Sequence, residues 1–147
     1  QDYEADVCVA FAQGNIGKAV QLATSDSFNE IKNSALHLLK NVSKMEINDI
    51  IATVKSVSEF KIDIQDYLDF LAVWYRDILY FKATRDSNGL IFKDELNVIT
   101  DQINKSSYEG IENILRGLQT AKTRLNANVN FDLTMELLFL LIKENLV

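Results

Sequence analysis

The chain has no proline, one cysteine, one histidine and five glycines among 147 residues. A β-rich protein with many tight turns draws on more proline and glycine than this. Missing proline suits long helices, because proline removes a backbone donor and clashes with the preceding turn. The single cysteine, Cys8, excludes an internal disulfide and a thiolate metal cluster, which fits a reducing compartment. The single histidine, His37, has no second histidine to share a zinc site with. It sits between Leu36 and Leu38 on an amphipathic pattern and reads as a half-buried or surface side chain. Long apolar runs are also missing. The strongest, Leu137 to Ile142, is six residues, against the roughly 20 needed to span a bilayer. Asp2, Glu4 and Asp6 stand where a secretory signal needs a basic segment. These absences predict a soluble, cytoplasmic protein with no membrane partner.

What is present is ordinary for a globular domain: 48% hydrophobic and 24% charged residues. A chain of this length buries about two thirds of its unfolded surface and needs no disulfide or metal staple. The net charge of −6 repels a phosphate backbone, and no run of Lys or Arg offsets it.

Apolar spacing predicts an all-α helical bundle. Val7, Ala10 and Phe11 share one face of a helix in which the chain begins, without a cap or a methionine, so it reads as a piece of a longer protein. A short helix follows over about 15–23. The polar Thr24-Ser25-Asp26-Ser27 is the best domain boundary. Phe28, Ile31, Ala35, Leu38, Leu39 and Val42 form the next stripe, capped by Asp26 or Ser27. Ser43 is expected to start a helix with Ile47, Ile50, Ile51, Val54 and Val57 inward. Asp63 opens the longest helix, to about Arg85, apolar on most of its circumference and so expected at the centre of the bundle. Asp86-Ser87-Asn88-Gly89 ends it, and a shorter helix runs over about 93–104. Ser106 and Glu109 have the spacing of a capping box for a helix to about Leu125. Asn130 is placed to cap the last helix, from Phe131 to about Glu144. Trp74, Leu71, Ile78, Leu118, Leu138 and Leu141 are the expected core.

Candidate chemistry is sparse. Asp63, Asp66 and Asp69 lack the glycine and terminal glutamate of a calcium loop and lie where acids favour a helix dipole. The segment Gly14 to Ala19 opens a helix but lacks the spacing of a P-loop and its Lys-Ser/Thr end. No catalytic, cofactor-binding or metal-ligating residue is expected, and no cofactor. Arg76 and Asp77 lie inside the mostly apolar helix, so at least one should be half buried in a structural polar network. Its expected members are Arg76, Asp77 and the turn residues Asn128 and Asn130, and removing one partner should cost about 3 kcal/mol or more. Gly110 and Gly117 share a helix flank with Ala121 and suggest a close helix approach.

Three segments, in their order and spacing, resemble a known family. Phe11-Ala12-Gln13-Gly14-Asn15-Ile16-Gly17-Lys18-Ala19 resembles the end of the lid domain of clamp-loader AAA+ subunits. Trp74-Tyr75-Arg76-Asp77 resembles the tryptophan-x-Arg-Asp stretch in the C-terminal collar of the bacterial DNA polymerase III delta prime family. Leu125-Asn126-Ala127-Asn128-Val129-Asn130, with Leu133, Glu136 and Leu137, resembles that family's Asn-x-Asn segment and last helix. The delta subunits are the nearest rival, but their collar usually carries a His-Pro stretch and this chain has no proline.

The resemblance implies that residues 1–24 are the tail of the lid and 25–147 the collar. Gly14, Asn15, Gly17 and Lys18 form the lid motif, with Gly17 where gamma/tau keeps a nucleotide-sensing arginine. The resemblance further implies a non-catalytic assembly role in DNA replication. The collar would pack against those of gamma/tau and delta and meet DNA and the sliding clamp only indirectly. The isolated chain is expected to be monomeric, with an exposed apolar patch after residue 43. The alternative is a free-standing helical adaptor or regulator that binds one partner protein.

Overall fold

In the computed structural model, residues 7–9, 26–60 and 63–146 are described. Residues 7–9 are helical, and among the described residues from 26 onward six α-helices follow one another: α1 (Asp26–Asn41), α2 (Ile47–Val57), α3 (Ile64–Thr84), α4 (Leu96–Lys105), α5 (Tyr108–Asn126) and α6 (Phe131–Glu144). Short 3₁₀ turns lie at Val42–Lys44, Ser58–Phe60, Ser87–Gly89 and Lys93–Glu95. There is no strand among the described residues, so the all-α architecture read from the spacing is the one the chain adopts.

Helix α3 is the central post. Ile64, Tyr67, Leu68, Phe70, Leu71, Trp74, Tyr75, Ile78 and Phe81 are all buried, on several sides of the same helix. It packs against α1, α4 and α5. The hairpin α5–α6 lies alongside, and α6 closes the bundle against α2 and the Val42–Lys44 turn. Of the expected core, Trp74, Leu71, Ile78, Leu118 and Leu138 are buried. Leu141 is only partly buried, because it lies over the flank of Gly117 at the rim of the hairpin.

Helix ends differ from expectation at two caps. Helix α2 starts at Ile47, not Ser43. Glu46 is its N-cap and forms a reciprocal capping box with Asp49, and the Glu46 N–H donates to Asp49 Oδ2 at 3.0 Å. The preceding residues are spent in the 3₁₀ turn. Helix α5 is capped by Ser107, whose Oγ accepts from Gly110 N–H at 2.9 Å. Ser106 Oγ instead donates back to the Gln102 carbonyl at 2.7 Å and closes α4. Asn130 caps α6 as expected, its Oδ1 accepting from Leu133 N–H at 2.9 Å. Ile50, Val54 and Val57 of α2 face the core, but Ile47 and Ile51 stand 66% and 48% exposed. A helix that packs along one side only can bury one of its two apolar rows.

Candidate interaction surface

The buried polar groups hold the scaffold. Asp77 is buried, and its Oδ2 accepts the N–H groups of Ile91 and Phe92 at 2.8 and 2.9 Å. One carboxylate on α3 thereby fastens the loop that leads into α4. Burial raises its pKa above the ordinary carboxylate value, and the Phe92 and Ile91 amides pull it back down. Arg76, the preceding residue, points outward and is exposed.

The structure does not join the expected polar network. Asn128 and Asn130 act locally at the α5–α6 turn. Asn128 takes φ 57°, in the left-handed region. Its N–H donates to Leu125 O at 3.1 Å, and the next N–H, of Val129, donates to Arg124 O at 3.0 Å. Those two bonds are the Schellman arrangement that ends a helix. The lid motif residues Gly14, Asn15, Gly17 and Lys18, and the boundary drawn after residue 24, lie outside the described residues.

A second polar link escapes sequence reasoning. Gln102 is buried on α4, and its Oε1 accepts from Trp74 Nε1 at 3.1 Å. Its Nε2 donates to the Leu39 carbonyl at 2.8 Å. One amide thus ties α3, α4 and α1. Nothing in the spacing separates Gln102 from the exposed polar residues around it; only a buried indole N–H, which needs an acceptor, hints that some such residue exists.

Chemistry beyond scaffolding is thin. Among the described residues no group of three or more His, Cys, Asp or Glu is placed to hold a metal ion. Asp69 is bound by Lys122, and Asp63 accepts from Ser27 Oγ at 3.4 Å. His37 is exposed. Burial pushes the phenols of Tyr67 and Tyr75 far above their ordinary range, so both stay neutral. Among the described residues no helix is long and apolar enough to cross a membrane.

The outer surface is more distinctive. Ile47 and Ile51 on α2, and Leu133 and Leu137 on α6, are exposed one turn apart in each pair. Between α5 and α6 runs a groove of about 350 Å³. Its walls include Arg116, Gly117, Thr120 and Arg124 from α5 and Leu137, Leu141 and Glu144 from α6. Gly117 lines the groove, and Gly110 is buried against the end of α6. A Cβ on Gly110 would come 3.0 Å from the Asn145 carbonyl, and one on Gly117 would come 2.8 Å from Leu141 Cδ2. The Asn113 amide donates to Asn145 Oδ1 at 3.3 Å and closes the far end.

Comparison with known proteins follows the same outline. The family model described as DNA polymerase III, delta subunit, C terminal, matches residues 35–144, well over half of the chain. Subunit delta prime of DNA polymerase III from Bacillus subtilis (strain 168) is 26% identical over 133 residues. That alignment covers 88% of this chain and 40% of the relative, so the chain spans less than half of that protein's length. No solved structure matches.

Proposed function

Because the chain belongs to the family formed by the C-terminal regions of DNA polymerase III delta subunits, we propose that it is the non-catalytic assembly region of a bacterial clamp loader. Residues 25–147 form its collar and residues 1–24 the tail of an AAA+ lid. The collar packs against those of gamma/tau and delta, so that the complete loader can place the sliding clamp on primed DNA in the cytoplasm. The likeness to a delta prime protein supports this reading, as does the matched family.

The observation that carries it is the exposure of four aliphatic side chains on α2 and α6, beside the isolated exposed Val9 and Val129. Ile47, Ile51, Leu133 and Leu137 lie on two helices of an otherwise well-buried bundle. Apolar groups clustered on a rigid helical surface mark a protein contact. All of them follow residue 43, in the region assigned to the collar. The net charge of −6 supports contact with protein rather than directly with DNA.

The test is co-elution. The C-terminal regions of gamma/tau, delta and this chain, each confirmed helical by circular dichroism, are mixed and passed over a size-exclusion column. A stable mixed complex is expected, with this chain monomeric when alone. Separate elution of folded components would remove the assembly reading and leave the adaptor.

A further inference from the structure

The groove between α5 and α6 has walls of opposite character. On the α6 side are Leu137, nearly half exposed, the partly buried Leu141 and, toward the Asn145 end, the exposed Glu144. On the α5 side are Arg116 and Arg124, two helical turns apart, about 12 Å along the axis. The lysines of the same two helices nearest in sequence are committed: Lys122 to Asp69 and Lys143 to the Met45 carbonyl. Arg124 has no ion pair among the described residues. Arg116 pairs only with Glu112, at 3.8 Å, with both side chains more than 60% exposed. Such a pair contributes little and is readily exchanged.

We propose that this groove seats an amphipathic helix of another clamp-loader protein. Its aliphatic stripe covers Leu137 and Leu141, and its carboxylates, spaced two turns apart, pair with Arg116 and Arg124. The proposal rests on the assembly role above. Charge complementarity selects the occupant. Two available guanidinium forks at helical spacing match carboxylates on a facing helix, and arginine binds a carboxylate through two parallel hydrogen bonds. A bare aliphatic partner leaves both arginines unused. A nucleic acid strand meets leucines where it needs donors, on a chain of net charge −6. Gly117 lets the Leu141 side chain lie close against α5, so this leucine lines the groove between the two walls. Arg76 on α3 is exposed, lies outside this groove and serves as the control.

The experiment uses the full-length protein that contains this chain, with the remaining clamp-loader subunits of the same organism, in a sedimentation titration. Arg124→Glu and Leu137→Glu are each expected to weaken association at least tenfold. Arg124→Lys should be intermediate, because it keeps the charge and loses the fork. Arg76→Glu, the same charge reversal outside the groove, should remain within twofold of the unmodified protein. Melting temperatures check that each variant is folded, which the exposure of Arg124 and Leu137 favours. If the unmodified subunits assemble and both groove variants assemble equally well, the groove proposal is overturned while the assembly role stands. If the unmodified subunits do not assemble, the assembly role fails and the groove assignment with it. If the protein alone forms a dimer that Arg124→Glu breaks, the occupant is a second copy and the proposed partner is wrong.

Discussion

Asp77 and Arg76 are neighbours in the chain and opposites in energetics. Asp77→Ala strips the acceptor from two amides, one of them fully buried, at about 1–3 kcal/mol for each unsatisfied group. A net loss of about 2–4 kcal/mol is expected in urea unfolding. Arg76→Met removes an exposed charge and should change stability by less than about 0.5 kcal/mol.

Asp77 also sets a pH dependence. Its folded pKa lies above the ordinary 3.8, so below 3.8 both folded and unfolded states hold the proton and its contribution is complete. As the pH rises, the unfolded state ionises first, and that contribution is lost until the folded pKa has been passed. Asp77→Asn keeps an oxygen for both amides and cannot ionise. It should flatten this part of the stability–pH profile and cost much less than Asp77→Ala; an identical pH profile for Asp77→Asn and the unmodified protein would contradict this assignment. Gln102 carries similar weight, since Gln102→Leu would orphan the Trp74 indole N–H and the Leu39 carbonyl. It should destabilise by about 2–4 kcal/mol.

At the scale of elements, the two glycines of α5 should respond differently to alanine. At Gly117 the obstacle is a Leu141 methyl at 2.8 Å, the far end of a partly buried side chain. That methyl can rotate away, and alanine gains about 1 kcal/mol of helix propensity, so Gly117→Ala should be neutral or mildly stabilising. At Gly110 the obstacle is the Asn145 backbone carbonyl at 3.0 Å, which moves only if the end of α6 moves. Gly110→Ala should therefore lower the melting temperature. Thermal unfolding of both variants checks the pair, and a reversed order would contradict the packing described.

The elements also show what is legible in the sequence. The rows of α1 and α3 read directly, because Phe28, Ile31, Leu38 and Leu39 on α1 and Leu68, Leu71, Trp74, Tyr75 and Ile78 on α3 are all buried. Helix α2 misleads, because Ile47 and Ile51 repeat at the same spacing as the buried Ile50 and Val54. Periodicity reports an apolar face but not what covers it. The cap at Ser107 lies one position beyond the expected Ser106, since the two serines offer the same hydroxyl and only the fold decides which faces the free amides. Glu46 is a cap that side-chain preference does not single out. Asp77 is recognisable as a charge inside an apolar helix, but its partners are backbone amides, which carry no side-chain signature.

For the whole molecule, a bundle tied internally by Asp77, Gln102 and a central α3 leaves exposed aliphatic pairs on α2 and α6. That surface supports the proposed assembly role. The most direct measurement compares the full-length protein with one that ends at residue 24 and so lacks the collar, each titrated with the other clamp-loader subunits in an analytical ultracentrifuge. The account predicts that the full-length protein enters a stable complex and that the truncated one sediments largely apart from it. Equal incorporation of the truncated protein would contradict it.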